Sequence, residues 1–281
     1  MPETRSRVTG TSCEPGPVSD HEEVPLSGGN VSAGVVRVGD TVRRPAGFWT
    51  PAVHALLDHL HGAGFTAAPR PLGLDERGRE VLSFAPGEAV WPHRFALLDP
   101  PGSLARIGRL IRAFHDAVAG FVPPPGARWN TLIPDPGHEI IAHHDLAPWN
   151  LVAEDGPAGR WTFIDWDNAA PGSRLWDLAY AAHGFLPLSA HPHWRRTDPH
   201  AAARLRTLVD AYGLDEDGRR ALVPLLARRT RSMHTFLRER HAAGEQPWAT
   251  LWDKGHGASW HADAAYTEER EELWRAALLA G

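Results

Sequence analysis

Apolar residues along this chain recur with two different periods, and the changeover divides it in two. From Val24 to residue 85 the pattern is short and β-like. Val35–Val38 and Thr41–Arg44 flank Gly39-Asp40, a two-residue turn that predicts a hairpin. Pro45 and Gly47 interrupt the chain. Thr50-Pro51 then opens a helix whose Val53, Leu56, Leu57 and Leu60 share one face. Pro71–Leu74 and Val81–Phe84, joined through Asp75–Gly78, predict a second pair of strands, and Ala85-Pro86-Gly87 reads as a hinge.

Beyond the hinge, helical spacing takes over. Leu104, Ile107, Leu110, Ile111, Phe114 and Val118 form one stripe, which predicts a helix over 103–120 that ends at Pro123-Pro124-Pro125. Ile140–Ala142 reads as a short strand. A second hairpin runs from Asn150–Val152 through Gly156-Pro157 to Trp161–Ile164, and further helices are predicted near 173–184, 201–212, 216–241 and 266–279. The first 23 residues carry Pro, Gly, Ser and Glu without periodicity and read as a disordered tail. The expected organisation is a tail over 1–23, a small β-rich part over 24–85 and a larger, mainly helical part over 86–281.

Composition narrows the function classes. The chain has 281 residues, of which 42% are apolar, enough for a sizeable core. No segment approaches the roughly 18 uninterrupted apolar residues of a membrane span, and the first residues hold no apolar signal segment. Cys13 is the single cysteine, so no internal disulfide is available and a reducing cytoplasm is the expected location. A net charge of −5 without a basic run gives no electrostatic case for nucleic acid. Among the 29 basic residues, Lys254 alone is lysine. Any chemistry that needs a lysine earlier in the chain is therefore missing one.

The most specific stretch is His143-His144-Asp145-Leu146-Ala147-Pro148-Trp149-Asn150, followed by Ile164-Asp165-Trp166-Asp167. A strand end delivers Asp145 into a loop, the loop returns at Asn150, and the far arm of the hairpin ends at Asp165. Three oxygen-bearing side chains then meet at one edge. Hard oxygen donors in that number suit Mg²⁺, which completes its shell with water and phosphate. A carboxylate left off the metal can orient a hydroxyl and take its proton. Taken singly, each of these residues is as well explained by local hydrogen bonds in a turn.

Together these residues resemble the aminoglycoside phosphotransferase and choline kinase group, small-molecule relatives of the protein kinases. His143, Asp145, Pro148 and Asn150 stand as in that group's H-G-D-x-x-P-x-N loop. The resemblance implies an α+β, two-lobed, protein-kinase-like fold, with a small β-rich N-lobe and a larger helical C-lobe. It implies Asp145 and His143 as catalytic residues, with Asp145 the base. Asn150 and Asp165 would hold Mg²⁺, with Asp167 a further contact, and Asp177 and His115 would support the loop from behind. For ATP or GTP it points to Gly28, Gly29 and Asn30 over the phosphates and to Ser83 and Ala85 near the base. The acceptor would be a hydroxyl of a small molecule, antibiotic or metabolite.

Departures from the family pattern are also visible. Kinase-like enzymes grip the α- and β-phosphates with a strand lysine paired to a helix glutamate. Here that role falls to Arg43 or Arg44, which alternate to opposite faces. The helix after them has no glutamate, only Val53 and His54 near the expected place, so the pair is expected to be absent. The alternative function is accordingly a catalytically weak or inactive kinase-like binding protein of the trifolitoxin immunity type. A protein kinase fits less well, because only nine residues separate Asp167 from Asp177. Residues 183–281 hold 13 acidic and 14 basic side chains, with no acidic excess for a polycationic acceptor. Trp194, Trp248, Trp252 and Trp260 are expected mostly to pack the core, or else to line a pocket for a ring-bearing substrate.

Overall fold

The first hairpin forms where the sequence alternates, and the chain extends it on both sides. Strands β1 (Val24–Pro25), β2 (Val36–Val38) and β3 (Thr41–Arg44) are followed by helix α1 (Thr50–Gly62), then β4 (Pro71–Leu74) and β5 (Glu80–Ser83). The structure is a computed structural model that describes residues 22–26, 34–135, 137–156 and 159–279. The expected tail lies outside that set, apart from its last two residues. The five strands form an antiparallel sheet in the order β1-β2-β3-β5-β4. Because β5 crosses to lie beside β3, Glu80 stands opposite Arg44. The predicted face of α1 is buried: Val53, Leu56, Leu57 and Leu60 are at most 2% exposed.

The helical part begins with β6 (Glu88–Ala89) and α2 (Pro101–Val118), and continues through β7 (Ile140–Ala142), β8 (Leu151–Ala153), β9 (Trp161–Phe163) and β10 (Ala170–Gly172). Five helices and one short one complete it: α3 (Arg174–Phe185), α4 (Asp198–Tyr212), α5 (Glu216–Ala242), the short α6 (Trp248–Asp253), α7 (His256–Glu268) and α8 (Glu271–Leu279). Two small sheets, β6-β8-β9 and β7-β10, frame the loops that carry the candidate site. The stripe of α2 enters one apolar cluster that runs from α1 through α2 to α3, α4 and the β8–β9 hairpin. Each fully buried Leu, Ile or Phe in it contributes about 1.5–3 kcal/mol. The result is the small sheet lobe and mainly helical lobe that the sequence implied.

The C-terminal helices differ from expectation. Instead of one helix over 266–279, the chain forms α7, breaks, and resumes as α8. The break lets Trp274 turn in to full burial, its indole N–H donating to the Thr267 carbonyl at 3.0 Å. Arg270 fixes the corner by pairing with Asp198 at 3.0 Å. Helix α7 starts ten residues before the expected span, at His256. Gly257 lies in its first turn, where a Cβ would lie 2.2 Å from the Trp252 ring.

Helices α2 and α4 cross at Gly108, where a Cβ would sit 2.4 Å from the Leu208 carbonyl oxygen. Backbone cannot yield there as a side chain would. Gly108→Ala is therefore expected to lower unfolding free energy by about 1–3 kcal/mol, measured by urea denaturation; an unchanged midpoint would show that the helices separate freely.

Candidate functional site

The loop after β7 is fixed from behind before it reaches the cleft. Asp177, in the first turn of α3, is completely buried. Its carboxylate accepts the backbone N–H of His143 at 3.0 Å and of His144 at 2.8 Å. It also meets His115 Nε2 at 3.2 Å, and His115 Nδ1 lies 2.8 Å from the Tyr212 hydroxyl. Burial opposes the ionised form, but the His115 hydrogen bond and the surrounding imidazoles outweigh it and hold the carboxyl down at about 2. His144 takes a left-handed conformation, φ 64°, which costs a non-glycine residue free energy and persists because both loop amides are tied to Asp177.

The next residue turns into the site. Asp145 Oδ2 accepts from Asn150 Nδ2 at 2.8 Å, and the same nitrogen donates to the Asp145 carbonyl at 3.0 Å. Tyr180 of α3 donates its hydroxyl to the carboxylate. Burial, reinforced by the charge of Asp165, pushes the Asp145 carboxyl up to about 6. It is a stronger proton acceptor than an ordinary carboxylate and is still ionised near neutral pH. His143 is fully buried behind it: Asp145 N donates to His143 Nδ1 at 3.3 Å, and His143 Nε2 faces the Ile164 carbonyl at 3.2 Å. Burial lowers the pKa of that imidazole and keeps it neutral. The ring thus ties the two loops together.

Asp165 arrives on the neighbouring strand end. The β8–β9 hairpin is in register, Leu151 opposite Phe163, and Ile164 N donates to the Asn150 carbonyl at 2.9 Å. Asp165 therefore follows directly beside Asn150, in a left-handed turn with φ 61°. Asp145, Asn150 and Asp165 do converge at one edge, as the sequence implied.

Opposite them stands Arg44. It is the arginine that enters the cleft, whereas Arg43 turns to Thr41 Oγ1 at 2.5 Å and approaches Asp75 at 3.8 Å. Arg44 Nε pairs with Glu80 at 2.9 Å, Nη1 with Asp165 at 3.2 Å, and Nη2 contacts Asp167 closely. Burial works against its charge, but the three carboxylates outweigh this and raise its pKa. Asp167 is pushed up to about 6 by burial, with Arg44 opposing and Asp165 adding to the rise, and it accepts a hydrogen bond from Trp49. Arg44 nevertheless has a paired acid. The acid comes from β5 instead of the helix, and His54 of α1 reaches it, Nε2 to Glu80 Oε1 at 2.9 Å.

These residues fit a divalent ion by charge. One guanidinium faces Glu80, Asp165 and Asp167, which leaves two negative charges when all are ionised. Asn150 Oδ1, with its nitrogen committed to Asp145, adds a neutral oxygen. Among the described residues no group of three His, Cys, Asp or Glu forms a ready-made cage. Such a set suits an ion that shares its shell with phosphate.

The remaining expected residues divide. Gly28, Gly29 and Asn30 lie outside the described residues. Ser83 closes β5 with its amide donating to the Arg70 carbonyl and its hydroxyl accepting from Arg70 N, both at 2.9 Å; Ala85 follows two residues on. Trp194 packs against Trp91 and Phe95, and Trp248 against Phe236. Trp252 lies beside His234 and His241. Trp260 stacks on His183 and lies nearly parallel to Tyr180, the partner of Asp145. Three residues were not foreseen: Glu80, Tyr180 and Arg229. Arg229 of α5 donates to the His144 carbonyl at 3.0 Å and covers the Tyr180 ring at 4.2 Å.

Asp177 has a folded-state pKa below the ordinary 3.8, so the stability it adds is complete above that value and is lost as pH falls towards 2. Asp177→Asn is expected to cost about 2–4 kcal/mol at pH 7 and to flatten the stability profile between pH ~4 and ~2. Denaturation across that range measures both. An unchanged acid limb would mean that Asp177 does not carry this linkage.

Comparison with known proteins agrees with the geometry. Residues 127–222 match the family model of the phosphotransferase enzyme family, APH. A trifolitoxin immunity protein of Rhizobium leguminosarum bv. trifolii is 33% identical over 258 residues, which cover 85% of this chain and 95% of that protein. In fold, the chain is similar to a choline/ethanolamine kinase family protein from Mesorhizobium loti, with a TM-score of 0.61 at 18% identity over 92% of this chain and 93% of that one. It is also similar to aminoglycoside 2'-phosphotransferase-IIIa in its GDP complex, with a TM-score of 0.59 at 15% identity over 89% and 94%. The loop, its buried brace and these relationships lead to one conclusion: the chain belongs to the phosphotransferase enzyme family of aminoglycoside phosphotransferase and choline kinase relatives.

Proposed function

We propose that this protein transfers the γ-phosphoryl group of ATP or GTP to a hydroxyl of a small molecule. The observation that carries the reading is the convergence of Asp145, Asn150 and Asp165 on one edge, with Arg44 facing them. Similar folds have been solved with GDP and with AMP-PNP and Ca²⁺, the latter an amicoumacin kinase. That supports a nucleotide and a divalent ion here.

In this reading Asp145 orients the acceptor hydroxyl and receives its proton as the oxygen attacks the γ-phosphorus. The bond from that phosphorus to the bridging oxygen breaks, and the nucleoside diphosphate leaves. Asn150 holds Asp145 in place and, with Asp165 and Asp167, would hold Mg²⁺. That ion, when bound, would neutralise the phosphate oxygens. Arg44 offers its guanidinium edge to the phosphates, and the buried support of His143 and Asp177 keeps the loop from recoiling.

A second reading rests on the 33% identity to the trifolitoxin immunity protein. It makes the chain a kinase-like binding protein that captures its ligand without turnover, and product formation separates the two. Nucleotide at a hundred times its dissociation constant should add about 2.7 kcal/mol of stability. A Mg²⁺-dependent rise in melting temperature is therefore expected with ATP or GTP, and it should be lost in Asp165→Ala. In a radiolabelled transfer assay over a panel of hydroxyl compounds, Asp145→Asn is expected to lower turnover about 10²–10⁴-fold without lowering the melting temperature. Equal turnover in wild type and Asp145→Asn would sink the catalytic assignment; tight nucleotide binding with no product from any acceptor would favour the second reading.

A further inference from the structure

The arrangement around Arg44 differs from a simple substitution of arginine for lysine, and the difference lies in which edge of the guanidinium each carboxylate takes. Glu80 takes Nε, at 2.9 Å. Asp165 and Asp167 take the two terminal nitrogens. The terminal pair is the fork that binds phosphate through two parallel hydrogen bonds. The Nε contact leaves that fork free to change partners.

Glu80 is itself held on its other oxygen. His54 Nε2 meets Oε1 at 2.9 Å, while Arg44 uses Oε2. Both Arg44 and Glu80 are buried, at 8% and 2% exposure, and strand register places them opposite each other. His54 belongs to α1, and Trp49, which precedes the helix as its N-cap, hydrogen-bonds to Asp167. The helix is thus joined to the cleft at two points, through His54 to Glu80 and through Trp49 to Asp167.

We propose that Glu80, held by His54, is the permanent anchor of Arg44, and that the terminal fork of Arg44 exchanges Asp165 and Asp167 for nucleotide phosphate when a metal–nucleotide complex enters. Before that exchange Arg44 is the resident cation of the two carboxylates that would hold the metal, so it competes with a free divalent ion. Nucleotide removes the competitor by giving the fork a new partner. Metal and nucleotide then bind as a unit, and the metal alone binds weakly. Glu80 and His54 are positioning residues, replacing an acid that the helix lacks. The inference rests on the phosphotransferase reading for its nucleotide.

The test uses the full chain, with Mn²⁺ binding followed by electron paramagnetic resonance and Mg²⁺-nucleotide binding followed with a fluorescent ATP analogue. In the absence of nucleotide, Arg44→Gln is expected to bind Mn²⁺ about tenfold more tightly than wild type and nucleotide at least about tenfold more weakly. Glu80→Gln is expected to weaken nucleotide binding by a similar factor without the gain in Mn²⁺ affinity. His54→Ala should weaken it by about threefold, with partial rescue in His54→Gln. In an Arg44→Gln background, Glu80→Gln should add nothing further, because the anchor no longer has a fork to hold. The double variant removes both buried charges and guards against a fold lost to one unpaired charge, and thermal melts verify each protein. Additive losses, unchanged nucleotide binding in Glu80→Gln, or weaker Mn²⁺ binding in Arg44→Gln would overturn the inference alone. Wild type that binds neither ATP nor GTP analogue in the presence of Mg²⁺ would overturn the phosphotransferase reading and the inference with it.

Discussion

The geometry of the site depends on one buried carboxylate. Asp177 has no exposure, yet it is anionic, and it is stabilised by donors aimed at it from two directions: the amides of His143 and His144, and the ring of His115. An ion in such a place is expensive unless every lone pair is used. That cost gives the arrangement its rigidity. The loop cannot drift without stripping hydrogen bonds from a charge that water cannot reach. Asp145 and Asn150 inherit their positions from it together with the other ties of the loop, among them Arg229 to the His144 carbonyl and His143 Nε2 to the Ile164 carbonyl.

A second charge arrangement answers the first across the cleft. The Asp177 carboxylate is fixed and fully satisfied, whereas Arg44 is over-supplied with carboxylates. The first builds a wall, and the second leaves carboxylates in excess of the one cation they share. Nothing in the apolar core distinguishes these roles. They follow from how many donors and acceptors are brought to each ion, and that number is set by strand register and loop geometry.

Legibility from the sequence followed sequence distance. Asp145, Asn150 and Asp165 were readable because a strand, a short loop and a hairpin join them locally, so their convergence needs little tertiary knowledge. The α2 stripe and the first hairpin were readable for the same reason. Glu80 was not. The strand was expected to begin at Val81, one residue late, and the pairing with Arg44 depends on a register between segments 36 positions apart. Arg229 was hidden differently: in a polar, arginine-rich helix it looks like one more solvated charge, and only the packing of α5 against α3 turns it inward. Tyr180 lay among the alanines of α3, a small-residue stretch with no signal of its own. The last helices were misjudged because a single span was expected across the break between α7 and α8.

The replacement of a cleft lysine by Arg44 also has a consequence for how such a protein is detected. Chemical proteomics of nucleotide-binding proteins relies on acyl-phosphate esters of ATP that transfer a tag to an amine near the phosphates. A guanidinium stays protonated under those conditions and offers no nucleophilic nitrogen. The chain's single lysine, Lys254, is exposed at the end of α6, in a part of the helical lobe remote in sequence from the strand that carries Arg44. On the phosphotransferase reading, a nucleotide-bound molecule of this protein would thus emerge from such an inventory untagged at its cleft.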